Sequence, residues 1–342
     1  MRPFAYERAA DIGQATRLGA LTGQGQIDAV VQFLAGGTSL IDLMKLDVLR
    51  PAYLVDLGPV KEGYDRIESG PEGLKLGAFA KMAAVERHPA VRAGYPVIAQ
   101  SLQLAASAQL RNMATIGGNV LQKTRCPYYR DVSWQACNKR RPGSGCTAIN
   151  AVNRNHAILG VDESCISQSP SDFGVALVAL EATVELSGPD GARRIAFSTL
   201  HTPVGGQPHI ETTLRSGEII TGFHIPAGPW TQRSLYLKIR DRASYEFALS
   251  SVAVALDLEG DHVRQVRIGL GGMAYRPWRS QEAEALLTGR PLTEENADAA
   301  ARAALQGAKT HGGNGFKPEL ARRTLVRALL QAKTLTPDGA EA

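Results

Sequence analysis

The sequence predicts an α+β protein of more than one domain, and three observations carry that expectation. The first third alternates strand-like and helix-like patterns in the manner of a small α/β unit. The last third changes to β-branched, alternating residues that read as an antiparallel hairpin, followed by Ala- and Leu-rich helices. Between them lies a long basic stretch, 123–168, punctuated by Pro127, Pro142, Gly143 and Gly145 and holding all four cysteines of the 342-residue chain. With 44% hydrophobic and 21% charged residues, the chain has room for two or three packed domains and needs no disulfides to fold.

Taken in order, the spacing predicts a helix over 11–21, a strand over 30–34, a short helix over 40–46, and strands over 53–57 and 74–78. Residues 96–106 place Ile98, Leu102 and Ala105 on one helical face. After the cysteine stretch a helix runs to Leu180, with Ser169 as its expected N-cap, Pro170 at its first position and Asp172 three residues after the cap. Strands are expected over 182–186, 218–225 and 235–240. The hairpin pairs 248–258 with 263–270 about Glu259-Gly260-Asp261, and helices follow over 281–287, 297–306 and 320–332. A C-terminal domain is expected to begin near 228–234. The N-terminal residues lack an apolar run and no stretch approaches eighteen apolar residues, so neither an export signal nor a membrane anchor is expected.

Cys126, Cys137, Cys146 and Cys165 share one forty-residue stretch. Thiolates suit zinc or iron–sulfur, and four of them close a tetrahedral zinc site or hold one [4Fe–4S] cube. Buried apolar cysteines and two disulfides are the plainer readings, and the spacing, without C-x-x-C knuckles, does not choose among them. Seven basic residues between Lys123 and Asn155 face one acid, Asp131, so the chain's net charge of +5 sits around the cysteines. Nearby cations would lower thiol pKa values and stabilise an anionic cluster. They form no regular helical face and no known nucleic-acid module. A stretch of this composition buries little apolar surface and is expected to need something else to order it.

Three segments could meet a cofactor. Ala35-Gly36-Gly37-Thr38-Ser39-Leu40 joins a strand to a helix, where paired glycines let backbone approach a diphosphate and the Thr38 and Ser39 hydroxyls donate to it. Thr115-Ile116-Gly117-Gly118-Asn119 reads as a loop that brings amides to the same ligand. Ser169-Pro170-Ser171-Asp172 offers a carboxylate for a ribose hydroxyl or an adenine amine, and locally reads as a helix cap.

Together and in this order, the segments resemble the FAD-binding medium subunit of the molybdenum hydroxylases, the xanthine dehydrogenase and carbon monoxide dehydrogenase superfamily. The likeness spans nearly the whole chain. Its first flavin motif looks like Phe33-Leu34-Ala35-Gly36-Gly37-Thr38-Ser39-Leu40 and its second like Ala114 to Asn119, with Thr115, Gly118 and Asn119 as contacts. Asp172 matches the family's contact to the adenosine half of FAD. Ile219 or Ile220 matches the aliphatic residue laid against the flavin ring, and Lys238 the lysine close to that ring. The cysteine stretch is similar to the insertion of the periplasmic aldehyde oxidoreductase FAD subunit, where such cysteines hold an extra [4Fe–4S] cluster. The β subunit of 4-hydroxybenzoyl-CoA reductase is the nearest alternative.

The resemblance implies two α+β subdomains clasping FAD (1–228, of the PCMH or vanillyl-alcohol oxidase type, with 123–168 as an iron–sulfur insertion), a C-terminal α+β domain over 229–335 and a tail over 336–342. It implies a subunit that takes electrons from a large molybdenum-cofactor partner through a small [2Fe–2S] partner, in an αβγ heterotrimer, and passes them to an external acceptor. It also implies assembly in the cytoplasm, with export only on a signal-bearing partner. A flavin suits this role because it exchanges one or two electrons, so the chain's residues hold and tune it and no catalytic triad is required. No H-x-H, H-E-x-x-H or G-x-S-x-G element is present. A stand-alone flavin oxidase and a zinc-stabilised adaptor are the rival classes.

Overall fold

In the computed structural model, which describes residues 1–21, 26 and 28–336, three sheets follow one another along the chain. The tail expected beyond Thr336 lies outside the described residues. The first sheet comes from β1 (Ala5–Arg8), α1 (Ile12–Ala20), β2 (Val31–Leu34), α2 (Leu40–Lys45) and β3 (Tyr53–Asp56). It is parallel, with β3 central and Tyr53 opposite both Ala5 and Val31. Asp11 caps α1 by accepting from the Gln14 amide at 2.7 Å.

The second sheet is antiparallel and assembles from distant pieces. Strands β4 (Ile67–Gly70) and β5 (Gly73–Gly77) form a hairpin. A run of short helices follows: α3 (Met82–Arg87), α4 (Pro89–Gly94), α5 (Pro96–Gln103), α6 (Ala108–Met113) and α7 (Ile116–Val120). The cysteine stretch, carrying α8 (Pro127–Arg130), leads to α9 (Asp172–Ala179), β6 (Thr183–Gly188), β7 (Gly191–Ala196) and β8 (Ile219–Pro226). The strand order is β4-β5-β8-β6-β7, which puts the last-made strand at the centre.

The third sheet comprises β9 (Ser234–Ile239), β10 (Ser250–Glu259), β11 (His262–Gly271) and β12 (Trp278–Arg279), in the order β12-β11-β10-β9, and is followed by α10 (Gln281–Leu287), α11 (Glu294–Ala304) and α12 (Lys317–Lys333). Its two faces serve two cores. Val252, Val254 and Leu256 meet Leu287, Ala301, Leu325 and Leu329 of the three helices. Ala253 and Ala255, pointing the other way, join the main core with Phe173, Val175 and Leu177. Small residues on that face let α9 sit close: a Cβ on Gly271 would overlap the Val175 side chain. Every residue of α9 is consequently buried, as its uniformly apolar sequence requires. The C-terminal unit therefore shares a sheet face with the main core.

The strands that the hydrophobic pattern does not predict, β1, β4, β7 and β12, all lie at sheet edges. An edge strand with one solvated side carries residues such as Glu7, Arg193 and Arg194 and lacks the alternation by which a half-buried strand is read. Two boundaries also move. The second double-glycine segment, read as a loop, is the short helix α7 with Thr115 as its cap. The helix expected to start at Ser169 starts at Asp172, capped by Ser171, whose Oγ accepts from the Gly174 amide at 2.9 Å. The Ser169 amide is instead tied to the Ala274 carbonyl at 3.0 Å, which holds 169–170 out of the helix.

Candidate functional site

Backbone geometry brings the two double-glycine segments face to face. A Cβ on Gly36 would overlap the Met113 carbonyl, so the first turn lies directly on the chain entering the second. Gly37 then takes φ +74°, a left-handed conformation that turns the backbone into α2. On the other side, Thr115 Oγ1 accepts from the Gly118 amide at 3.2 Å, and the Gly117 amide donates to the Ala78 carbonyl at 2.8 Å. The result is a cleft of about 240 Å³ lined by Phe33, Ala35, Gly37, Thr38, Ser39 and Leu40 from one wall and Thr115, Gly118 and Asn119 from the other. The Ser39 side chain makes no capping bond to α2. A Cβ on Gly118 would meet only its own cap, Thr115 Oγ1, so any side chain there would take up cleft space. Such a glycine-walled cradle of hydroxyls and amides fits a dinucleotide with a diphosphate.

Leu34 and Gly36, expected among the contacts, do not line the cleft; Leu34 lies under the turn beside Gly37 and Gly36 lies against Met113. Ile219 does not line it either. Ile219 and its neighbour Ile220 are both 5% exposed in the main core, because β8 is the central strand of its sheet and both its faces are covered.

Asp172 and Lys238, expected at opposite halves of one cofactor, touch each other. The Lys238 ammonium donates to Asp172 Oδ2 at 2.8 Å and to the Leu104 carbonyl at 3.0 Å, and the Tyr236 hydroxyl donates to Asp172 Oδ1 at 2.7 Å. The Lys238 side chain is fully buried and that of Asp172 is 6% exposed. Burial pushes the Asp172 carboxyl upward, against the pull of Lys238 and Tyr236. This group locks α9 to β9 and to the end of α5 rather than facing the cleft. Contact with the second glycine segment is made by the cap instead, the Ser171 hydroxyl reaching Asn119 Oδ1 at 3.4 Å.

Sequence reasoning missed Lys123 and Arg125, which also line the cleft. Leu121, Gln122 and Lys123 form the partition between it and a second crevice containing Ser169, Pro170, Lys139, Glu211 and Tyr275. Lys123 donates to Glu211, as does the buried Lys139, whose Nζ lies 2.7 Å from Glu211 Oε1 and 2.9 Å from the Tyr275 hydroxyl. Against the cost of burial, the two lysines hold the Glu211 carboxyl down to about 2. Only the excess of cations in the segment hinted at this; their acid lies 88 residues beyond Lys123 and 72 beyond Lys139.

The cysteine stretch is ordered by the same kind of tether. Arg125 and Arg130 pair with Asp42 of α2 and Arg154 with Asp241, and Arg140 donates to the Tyr128 and Trp134 carbonyls. The cations expected to surround the thiols are thus largely spent on acids and carbonyls. Lys139, though paired with Glu211, also helps depress the Cys165 thiol, after the larger effect of a hydrogen bond from Cys146.

All four cysteines are free, which removes the reading as two disulfides. They are nevertheless near enough to bear on one another's thiols. Cys137 and Cys146 pair across an antiparallel bridge, Cys146 hydrogen-bonds Cys165, and Cys126 feels the charges of Cys137 and Cys165. Burial first, then those two thiols, push Cys126 up to about 12. Among the described residues, no group of three or more His, Cys, Asp or Glu is arranged to hold a metal ion, so neither the zinc reading nor the [4Fe–4S] expectation finds a ready-made cage. Cys126 also sits 3.2 Å from His156 Nε2. Among the described residues, no helix is long and apolar enough to cross a membrane.

Comparison with known proteins agrees with this geometry. The sequence pattern of the FAD binding domain in molybdopterin dehydrogenase matches residues 2–228, and that of the CO dehydrogenase flavoprotein C-terminal domain matches 235–332. The chain is 42% identical to the aldehyde oxidoreductase FAD-binding subunit PaoB of Escherichia coli K12, over 97% of this chain and 99% of that protein. It is 26% identical to the glyceraldehyde dehydrogenase medium chain of Sulfolobus acidocaldarius, over 85% of this chain and 83% of the other. Among solved structures, reconstituted CO dehydrogenase from Oligotropha carboxidovorans superposes with a TM-score of 0.75 at 26% identity, covering 98% of this chain and all of the other.

Proposed function

Since the chain belongs to the FAD-binding medium subunits of the molybdenum hydroxylase family, and is an oxidoreductase subunit on that account, we propose that it is the electron-exit subunit of an aldehyde-oxidising complex. Substrate oxidation takes place on a large molybdenum-cofactor partner, a small [2Fe–2S] partner delivers the electrons, and an external acceptor removes them from this chain. When bound, FAD supplies the capacity to exchange electrons singly or in pairs.

The observation that carries this reading is the cleft shared by the two double-glycine turns. In it the Thr38, Ser39 and Thr115 hydroxyls, the Asn119 amide and the glycine backbone hold the dinucleotide, while Phe33 and Leu40 exclude water from its apolar ring. Lys123 and Arg125 add positive charge to the same walls. Asp172, Lys238 and Ile219 serve the cleft from behind, as scaffold.

The second half of the proposal is a [4Fe–4S] cluster on Cys126, Cys137, Cys146 and Cys165. Two features support it: all four cysteines are free thiols in one stretch of chain, and Cys137 and Cys146 are paired across an antiparallel bridge. Cys126 follows directly on the cleft-lining Arg125, so the cluster and the flavin would be near neighbours.

Purification without oxygen, with a visible spectrum and assays for iron, sulfide, zinc and FAD, tests both halves. About four irons per chain with flavin bands is the expected result. Flavin without iron removes the cluster and keeps the cofactor cleft; a colourless chain removes both.

A further inference from the structure

We propose that the pocket beside the edge strand β12 binds a small organic carboxylate with an apolar or aromatic body, and that Arg276 is the cation that receives the carboxylate. The pocket has a volume of about 390 Å³, in the size range of small-molecule sites, and shares no lining residue with the cofactor cleft. Leu177, Val178 and Ala182, at and just after the end of α9, give it an apolar lining, and Pro277 and Trp278 add to it.

The neighbours of Arg276 are held by close packing. A Cβ on Gly174 would meet Pro277 at 3.0 Å, and one on Gly160 would meet the Trp278 ring at 2.9 Å, so both side chains sit where glycine leaves room for them. Trp278 and Arg279 pair with Leu270 and Gly269 of β11, and the Tyr275 amide donates to the Leu159 carbonyl at 3.0 Å. Between these anchors the Arg276 side chain reaches residues 198–201, where its Nη1 donates to the His201 carbonyl at 3.0 Å and to the Ser198 carbonyl at 3.5 Å.

No acid answers this cation. Arg279, on the same pocket, is engaged by both oxygens of Glu284 at 2.9 Å. Glu181, the pocket's own acid, is paired with Arg279 and, at 3.2 Å, with Arg267, so it adds no net negative charge. Glu211, in the second crevice that Arg276 also lines, is already held by Lys123 and Lys139. Among the described residues Arg276 makes no ion pair, and burial alone draws its pKa below the ordinary value. A guanidinium taken partly out of water without a counter-ion is costly, and its planar fork of donors matches a carboxylate. The apolar and aromatic lining beside it disfavours a fully hydrated anion and accepts the hydrocarbon part of an organic acid. Oxidation of an aldehyde yields this class of anion, so under the proposed function, on which this clause alone rests, the complex's own product is a fitting ligand.

The test titrates the full-length, FAD-loaded chain with benzoate by calorimetry. Benzoate is expected to bind wild type, with affinity about tenfold weaker in Arg276→Leu and intermediate in Arg276→Lys, which keeps the charge and loses the fork. FAD content is expected to match wild type in both variants, and inorganic phosphate to compete poorly. No benzoate binding, equal binding by wild type and the leucine variant, or phosphate binding as tight as that of benzoate overturns the proposal. Should the leucine variant fail to fold, a wild-type crystal soaked in 4-iodobenzoate still decides: the carboxylate should meet Arg276 with the iodinated ring beside Trp278, and its placement elsewhere overturns the proposal. A chain that takes up no FAD sinks the proposed function, and benzoate titration of that chain still reads this site.

Discussion

The cleft and the buried lock behind it are built in opposite ways. The cleft is made of short segments that carry their own instructions: paired glycines, a Thr cap and a strand-to-helix turn. The lock of Asp172, Lys238 and Tyr236 joins three residues up to sixty-six positions apart, none of which announces the others. A cleft wall can therefore be local in sequence while the frame behind it is not.

The sharpest way to break the comparison is Lys238→Met. Removing one partner of a buried, hydrogen-bonded ion pair costs on the order of 3–5 kcal/mol, so the urea midpoint should fall markedly. FAD affinity of the remaining folded protein should change little. If affinity collapses while stability holds, Lys238 belongs to the cleft after all.

Next in size is Gly36→Ala, where the new Cβ must displace the Met113 carbonyl. Overpacking of this kind costs about 1–3 kcal/mol, and here the strain falls on the seam between the cleft walls, so FAD retention on gel filtration should drop more than the unfolding midpoint does. Thr115→Ala should be milder still, about 1 kcal/mol for a lost cap, with a parallel small loss of FAD because α7 frays at the cleft wall.

The last effect is a slope with pH. Burial, with Arg154 nearby, lowers the Lys317 ammonium to about 7 from its ordinary 10.5, while its Nζ donates to Gln168 Oε1 and the Gly272 carbonyl. Between those two pH values the unfolded chain holds a proton that the folded chain has released, so this residue makes stability rise with pH across the window and contributes no slope below about 7. Lys317→Met should flatten the rise between pH 7 and 10.5 in urea melts, and an unchanged rise would show that another group causes it.

Much of this was legible in the chain. The central strands, the hairpin, α10 and the first glycine turn follow from period, caps and β-branched runs, since each depends on neighbours within a few residues. Edge strands were not legible, because a solvated strand has no apolar alternation to show. Nor was Ser171 as the α9 cap, because the Ser169 amide is held by Ala274, a hundred residues on. The resemblance implies Asp172, Lys238 and Ile219 at the cofactor; here Asp172 and Lys238 form a buried ion pair and Ile219 lies in the core of a central strand, relations that no local pattern signals.

By itself the sequence determined the two double-glycine segments, the clustering of four thiols and the central strands and longer helices, because these rest on conformational limits and side-chain chemistry that travel with each residue. Only the tertiary structure decided which acids quench the basic stretch, which carboxylate meets Lys238, and that an imidazole stands over Cys126. Those outcomes depend on which distant surfaces are forced together when water is excluded. Charge and hydrogen-bonding capacity can be counted along a chain, but their partners are chosen in space.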